Sequence, residues 1–419
     1  MNFSREVGFI VFRIVIPIVI FAIQFVLFRR TERWFKTNAP QARRWRIATR
    51  VLFLLFNAAF LFTFFDRPTW RYPVPWYVTA GWFPFYLWHG TSFFLGVFLL
   101  VAWIIRAPFR FSVWVAGKIP TTRPSVERVR ALPAVQRFDA SRRTFLRRSM
   151  YGLAVTSVAG NAYGMLLEKN ECDITAADFV LPDLPEQLDG FTIALASDIH
   201  SSVFMLKNEM DRYARLVNSL NADLIVVPGD FVTSNFNEVY PFAEAFHVLH
   251  APYGVYGVLG NHDFYSGADA VAKEVDACGI RMLRDDKVVI EKKGGKFSLL
   301  GVDDVGVNNR ARIKLEEALG PSPLEIPKIL LCHRPYYLSE AAEKKIDLVL
   351  SGHTHGGQVV FGRFGNVVIA PSRIASPYVA GKYREGDTHM YVSRGIGTVG
   401  LPVRINCPPE ITKITLRRA

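Results

Sequence analysis

Cysteine is scarce, with 4 in 419 residues: Cys172, Cys278, Cys332 and Cys407. No two stand in a C-x-x-C pair, so the spacings suggest no disulfide framework and free thiols are expected. Cys332 sits in the apolar run "KILLCHRP" and reads as a buried small hydrophobe. Acidic residues are scarce in the first third. Residues 1–148 hold 5 Asp and Glu against 23 Lys and Arg, whereas residues 149–419 hold 32 against 27. The overall charge of +13 would suit a nucleic-acid partner, but all of the excess lies among long apolar runs. That is the pattern of cytoplasmic membrane loops, and no nucleic-acid partner is expected. Ionisable residues are also sparse inside the apolar runs, which leaves no evident polar transport pathway and makes anchoring the default role.

Half of the residues are hydrophobic. Four apolar runs, at about 7–28, 47–65, 82–105 and 149–167, approach the ~20 residues that cross a bilayer. Arg13 interrupts the first near its start and is expected to snorkel to the interface. His89, in the third, reads as a packing or interfacial residue, and the Trp- and Tyr-rich approach "RYPVPWYVTAGWFPFYLWHG" suits a membrane interface. Residues 29–50 carry 8 basic side chains and 1 acidic, and residues 106–148 carry 11 and 2. The positive-inside rule makes both segments cytoplasmic loops of a multi-pass cell-membrane protein, with everything beyond the fourth run extracytoplasmic. "SRRTFLRR" at 141–148 then lies at the cytoplasmic mouth of that run. A twin-arginine export signal would have to lie there, so the export machinery is an expected partner beside the lipid bilayer. The division expected is a membrane domain over 1–167 and a catalytic domain over 168–419.

After Glu168 the pattern changes. "FTIALASD", "ADLIVVPGD", "YGVYGVLGNHD", "FSLLGVDD", "PKILLCHRP", "DLVLSGHTH" and "HMYVSRG" each read as a buried strand ending in polar residues. "LKNEMDRYARLVNSL" and "GADAVAKEVDACG" read as helices between them, which gives an α/β class. In such sheets ligands gather beyond the carboxyl ends of the strands. There the chain places Asp198-x-His200, Gly229-Asp230, Gly260-Asn261-His262-Asp263, His333 and Gly352-His353-x-His355. Five of the 9 histidines fall in this set. Carboxylate and imidazole donors suit Zn, Mn or Fe, and no thiolate is placed to compete. Seven ligand types exceed the needs of one tetrahedral ion, and with one carboxylate shared they suit a two-metal centre. His247, His250 and His389 lie outside these motifs and read as structural.

D-x-H, G-D, G-N-H-D, H and G-H-x-H in this order resemble the calcineurin-like metallophosphoesterases, over about 190–418. "SGHTHGGQV" and the tail "SRGIGTVGLPVRINCPPEITKITL" resemble the bacterial membrane-associated, twin-arginine-exported branch. The resemblance implies a sandwich of two mixed β-sheets flanked by helices, with a site for two divalent ions (Mn, Zn, Fe or Mg) at one end. It assigns Asp198, His200 and His355 to one ion and Asn261, His333 and His353 to the other, with Asp230 bridging. It makes His262 a non-ligand beside the scissile phosphate. Two cations would polarise a phosphoryl oxygen and activate a bridging hydroxide for in-line attack. His262 could supply a proton to the leaving alkoxide, and Asp263 would either orient that imidazole or serve as a turn or cap residue. The expected activity is hydrolysis of phosphate mono- or diesters, with a lipid-linked substrate suggested by the membrane anchor. A non-catalytic scaffold or sensor is the alternative, against which stands the presence of all seven donors.

Overall fold

The computed structural model describes residues 16–65, 74–304, 310–320, 325–364, 367–374 and 376–419. The chain divides into two compact units, 1–68 with 81–162 and 69–80 with 163–419.

The first unit is helical: α1 (Ile16–Asn38), α2 (Arg43–Phe65), α3 (Trp76–Ala116, whose first turn falls to the other unit), α4 (Arg123–Ala131) and α5 (Pro133–Leu166, whose last turn falls to the other unit). Pro40 lies in the break between α1 and α2, and Pro124 and Pro133 sit in the first turns of α4 and α5, where a missing N–H costs nothing. Among the described residues only α3 is long and apolar enough to cross a membrane. The second apolar run lies inside α2, the third inside α3 and most of the fourth inside α5. The first is described only from Ile16, within α1, and Arg13 lies outside the described residues. The basic segments are largely helical. Helix carries through much of 29–50 and 106–148, and "SRRTFLRR" is internal to α5. Arginine is a good helix former, so basic composition alone does not end a helix. A bidentate pair from Arg50 to Glu32 (2.9 Å twice) ties α1 to α2.

The second unit holds two six-stranded sheets. The first runs in the order β1 (Asp173–Leu181), β14 (Glu410–Arg418), β2 (Thr192–Leu195), β3 (Leu224–Pro228), β4 (Val255–Val258) and β5 (Arg281–Met282). The second runs β12 (Gly381–Glu385), β13 (Thr388–Val392), β9 (Leu348–Ser351), β8 (Lys328–Leu331), β7 (Gly295–Gly301) and β6 (Asp286–Lys292). Both are mixed: β14 is antiparallel to β2, and β13 is antiparallel to β12. A separate ribbon pairs β10 (Gly362–Phe364) with β11 (Val367–Ile369).

Side-chain alternation builds the layers. Ile193 and Leu195 of β2, with Leu224 and Val226 of β3, point into the space between the sheets. There they meet Leu299, Ile329, Leu331, Leu348 and Leu350 of the other sheet. The intervening Ala194, Ile225 and Val227 face the opposite way, onto α6 (Lys207–Ser219), α7 (Val239–Phe246) and α8 (Asn261–Ala277). Leu300, Leu330 and Val349 likewise face Leu315 of α9 (Arg310–Leu319) and Ala341 of α10 (Leu338–Glu343). These central strands are buried on both faces, which is why they read as unbroken apolar runs. Each of the buried Leu, Ile and Val side chains contributes ~1.5–3 kcal/mol on burial. α6 buries Met210, Tyr213, Ala214 and Val217, one face at helical spacing, and Glu209 accepts the Leu206 N–H (3.0 Å) to close its first turn.

Candidate metal centre

The strands β2, β3 and β4 are parallel neighbours in one sheet, and β8 and β9 are parallel neighbours in the other. Their carboxyl ends bring all five motifs together. Asp198 and His200 follow β2, Asp230 follows β3, Asn261 and His262 open α8 just after β4, His333 follows β8, and His353 and His355 follow β9. The backbone is bent tightly to do this. Asp198, His200, Asp230, His353 and His355 all have positive φ, between 51° and 74°. Left-handed backbone at non-glycine residues costs about 1–3 kcal/mol each and gathers at functional sites. The neighbouring glycines allow the approach: a Cβ at Gly352 would collide with the Asp198 carboxylate, and one at Gly260 with that of Asp230.

Three groups of donor atoms converge: Asp198, His200 and His355; His200, Asp230 and His262; Asp230, His333 and His353. Nε2 of His200 lies 3.1 Å from Nε2 of His355, and Nδ1 of His353 lies 3.2 Å from Nε2 of His333. Two nitrogens ~2.1 Å from one cation at tetrahedral or square angles stand about 3.0–3.4 Å apart, the spacing seen at both places. Asp230 joins the groups. Its Oδ2 is 3.4 Å from His200 Nε2 and 3.1 Å from His333 Nε2, while Oδ1 accepts the His262 backbone N–H (2.8 Å).

The ring orientations are held from behind. His333 Nδ1 meets the Pro228 carbonyl (2.9 Å), which as donor leaves Nε2 free to bind a cation. Asp198 receives Ser197 Oγ–H (2.6 Å) and the His353 N–H (2.9 Å). Thr233 serves two rings, its carbonyl accepting from His262 Nδ1 and its hydroxyl lying 3.4 Å from His200 Nδ1. Glu238 fixes that segment by accepting the N–H groups of Thr233, Ser234 and Asn235 (2.8, 2.8 and 3.2 Å). Arg404, fully buried, gathers the carbonyls of Arg394, Gly395, Gly397 and Cys407, and Gly397 N–H bonds the Asp198 carbonyl (2.7 Å). Ser197, Thr233, Glu238 and Arg404 were not legible as site residues, because each acts by positioning a site residue or its loop and none stands in a metal-ligand motif.

Asp263 does not bond the His262 ring. Its two oxygens accept four backbone N–H groups: Phe231 and Val232 at Oδ1 (2.9 and 3.2 Å), Asp230 and Gly260 at Oδ2 (2.9 and 2.8 Å). It is the third residue of α8 and reaches back over the helix start, a capping geometry that also ties the Asp230 turn. Burial pushes its carboxyl up, against these four donors.

The donor set fits divalent cations. Asp198 and Asp230 are both buried, and ring nitrogens of His200, His333 and His355 stand 3.4, 3.1 and 3.6 Å from their oxygens. Burial alone would raise Asp230, but His333 and His262 outweigh it and hold the carboxyl well below its ordinary value. Burial opposes charge on His333, yet Asp230 and Asp198 push that ring up to about 10. Burial holds His353 and His355 far below the ordinary imidazole value, as neutral donors. Asn261 Oδ1 is buried with no hydrogen-bond partner, an acceptor left for a cation. Buried carboxylates with neutral imidazoles and an orphaned carbonyl are the groups that a metal would satisfy. His262 differs: its Nδ1 is held by the Thr233 carbonyl and burial lowers the ring to about 4. The four cysteines are free thiols, and Cys332 is buried away from this chemistry among apolar neighbours.

The family profile described as calcineurin-like phosphoesterase matches residues 191–357. An uncharacterized metallophosphoesterase, YkuE, of Bacillus subtilis (strain 168) is 31% identical over 287 residues, covering 66% of this chain and 98% of that one. A protein of Danio rerio named transmembrane protein with metallophosphoesterase domain is 30% identical over 284 residues, 65% of this chain and 63% of its own length. One of the same name from Bos taurus is 30% identical over 304 residues, 69% and 67%.

Proposed function

From the premise that the chain belongs to the calcineurin-like phosphoesterase family, we propose that it is a membrane-anchored, metal-dependent hydrolase of phosphate mono- or diesters. One observation carries this reading: a single oxygen of Asp230 stands 3.4 Å from His200 Nε2 and 3.1 Å from His333 Nε2, joining two donor groups into one centre. Asp198, His200 and His355 would hold one divalent ion, Asn261, His333 and His353 a second, with Asp230 shared. When bound, the two ions supply Lewis acidity to a phosphoryl oxygen and lower the pKa of water.

The remaining work falls to the chain. Ser197 and the His353 N–H fix the Asp198 carboxylate, and Pro228 fixes the tautomer of His333. His262, neutral and with Nδ1 pinned to Thr233, keeps Nε2 unprotonated at neutral pH. That nitrogen would relay a proton from solvent water to the leaving oxygen, on the side of phosphorus opposite the attack, instead of starting as a charged acid. The complete donor set speaks against a scaffold or sensor without activity.

Membrane anchoring is supported by α3 and by relatives named as transmembrane proteins. Four spans, a twin-arginine route at 141–148 and an extracytoplasmic catalytic unit complete the proposal, with a lipid-linked phosphoester as the substrate class. The test is hydrolysis by the purified full chain in detergent with added Mn, Zn or Mg, on nitrophenyl mono- and diesters and on phospholipids. Metal-stimulated turnover of at least one class is expected. No turnover with any metal on any class would overturn the proposal.

A further inference from the structure

The ribbon β10–β11 begins a few residues beyond the His355–Gly357 turn of the metal centre. Its register pairs Phe364 with Val367 and Gly362 with Ile369, while Arg363 pairs with Val368. Alternation therefore places Phe364, Val367 and Ile369 on one face and Val368 on the other. The Val368 face is buried with Val360, Ala370, Val379 and Cys407. On the opposite face Phe364, Val367 and Ile369 are 71%, 49% and 45% exposed, and Phe361, just before β10, is 56% exposed. Elsewhere in this unit exposed large apolar residues are sparser: Val248 and Val289 stand singly, Phe264 with Tyr265 as a pair, and Tyr163, Leu166 and Leu167 as a group of three at the end of α5. Four within nine residues is the pattern of an interaction surface, where scattered single residues are ordinary.

We propose that this ribbon is a membrane-docking element, whose apolar face enters the interfacial layer of a bilayer and holds the mouth of the metal centre at the lipid surface. Two features select lipid as the occupant. The chain carries a helix, α3, apolar and long enough to cross a membrane, so the bilayer is tethered to this unit at high effective concentration. Arg363, exposed, pairs with Val368 and starts on the ribbon's other face, from which its long side chain can reach anionic headgroups beside the apolar edge, and Arg373 is exposed four residues beyond Ile369. A phosphoester displayed at a bilayer surface would then meet the centre without leaving the membrane. This goes beyond the proposed hydrolysis and does not depend on it.

The test uses the full chain in nanodiscs containing anionic lipid, with Cys172→Ser and Cys278→Ser removing the two partly exposed thiols. A bimane label is placed at the ribbon through Phe364→Cys, and in a separate sample through Asp387→Cys, whose side chain is 92% exposed. Spin-labelled phospholipid is expected to remove most of the fluorescence at 364 and leave 387 unchanged, with iodide in the water quenching in the reverse order. Equal, weak lipid quenching at both positions would overturn the proposal. Protection from iodide at 364 without lipid quenching would also overturn it, because a protein surface, a second copy of the chain included, would then cover the ribbon. No hydrolysis is read, so failure here and failure of the proposed activity are separate results.

Discussion

Replacing Asp263 by asparagine separates a scaffold role from a catalytic one. The carboxylate accepts four buried backbone N–H groups, two at each oxygen. Asparagine is nearly isosteric but presents an NH2 where one oxygen stood, so two of those N–H groups would face another donor. A buried polar group left unsatisfied costs ~1–3 kcal/mol, so Asp263→Asn should destabilise the unit by about 2–6 kcal/mol. For a unit of this size each kcal/mol moves Tm by about 2–4 °C, which puts the shift on the order of 10 °C. All 8 tryptophans lie within residues 1–116, so tryptophan fluorescence would miss the transition, and calorimetry of the detergent-solubilised chain is the assay. Two of the bonds hold the backbone of Asp230 and Phe231, so bound metal should fall together with Tm. An unchanged Tm with activity lost and the pH–rate profile displaced would refute this reasoning and return Asp263 to a role on the His262 ring.

Two other outcomes are expected. His262→Ala should retain its metal and lose about 10²–10⁴-fold in rate, with a smaller loss on nitrophenyl esters, whose leaving groups need no proton. Burial lowers His262 to about 4, so its neutral form persists through weakly acidic pH. The acid limb of the parent rate that depends on this ring should therefore appear only near that value, and a limb at the ordinary imidazole value would contradict it. Arg142→Lys with Arg143→Lys preserves charge while removing the twin-arginine pattern, and should strand residues 168–419 inside the cell. Protease accessibility in spheroplasts reads this. Equal accessibility of parent and variant would leave the run as a topological flank, and inaccessibility of both would invert the orientation.

The central strands were legible because burial on both faces makes them continuous apolar runs: Thr192–Leu195, Leu224–Pro228, Lys328–Leu331 and Leu348–Ser351 fall where the runs stand. The ligand types at their ends were legible for the same reason, since a polar residue closing an apolar run is conspicuous. Arg281–Met282 is too short to carry a period, and β1 alternates exposed and buried residues at the sheet edge, so neither stood out. The left-handed turns at Asp198, His200 and Asp230 had no signature, because their residue types do not require that backbone. Asp263 was ambiguous because a carboxylate beside a histidine can serve the ring or the helix start, and only the path of the backbone decides. The helical course of the basic stretches was not legible, because charge reports the side of a membrane more directly than it reports the end of a helix.

The central claim is that Asp230 joins two cation sites into one hydrolytic centre. The direct measurement is metal content per chain, by mass spectrometry of the purified full-length Asp230→Asn variant, taken alongside its hydrolysis of a nitrophenyl ester and a calorimetric check that it is folded. A folded variant with metal well below the parent and no detectable hydrolysis is the predicted result. A folded variant with the parent's metal content and the parent's rate would contradict it.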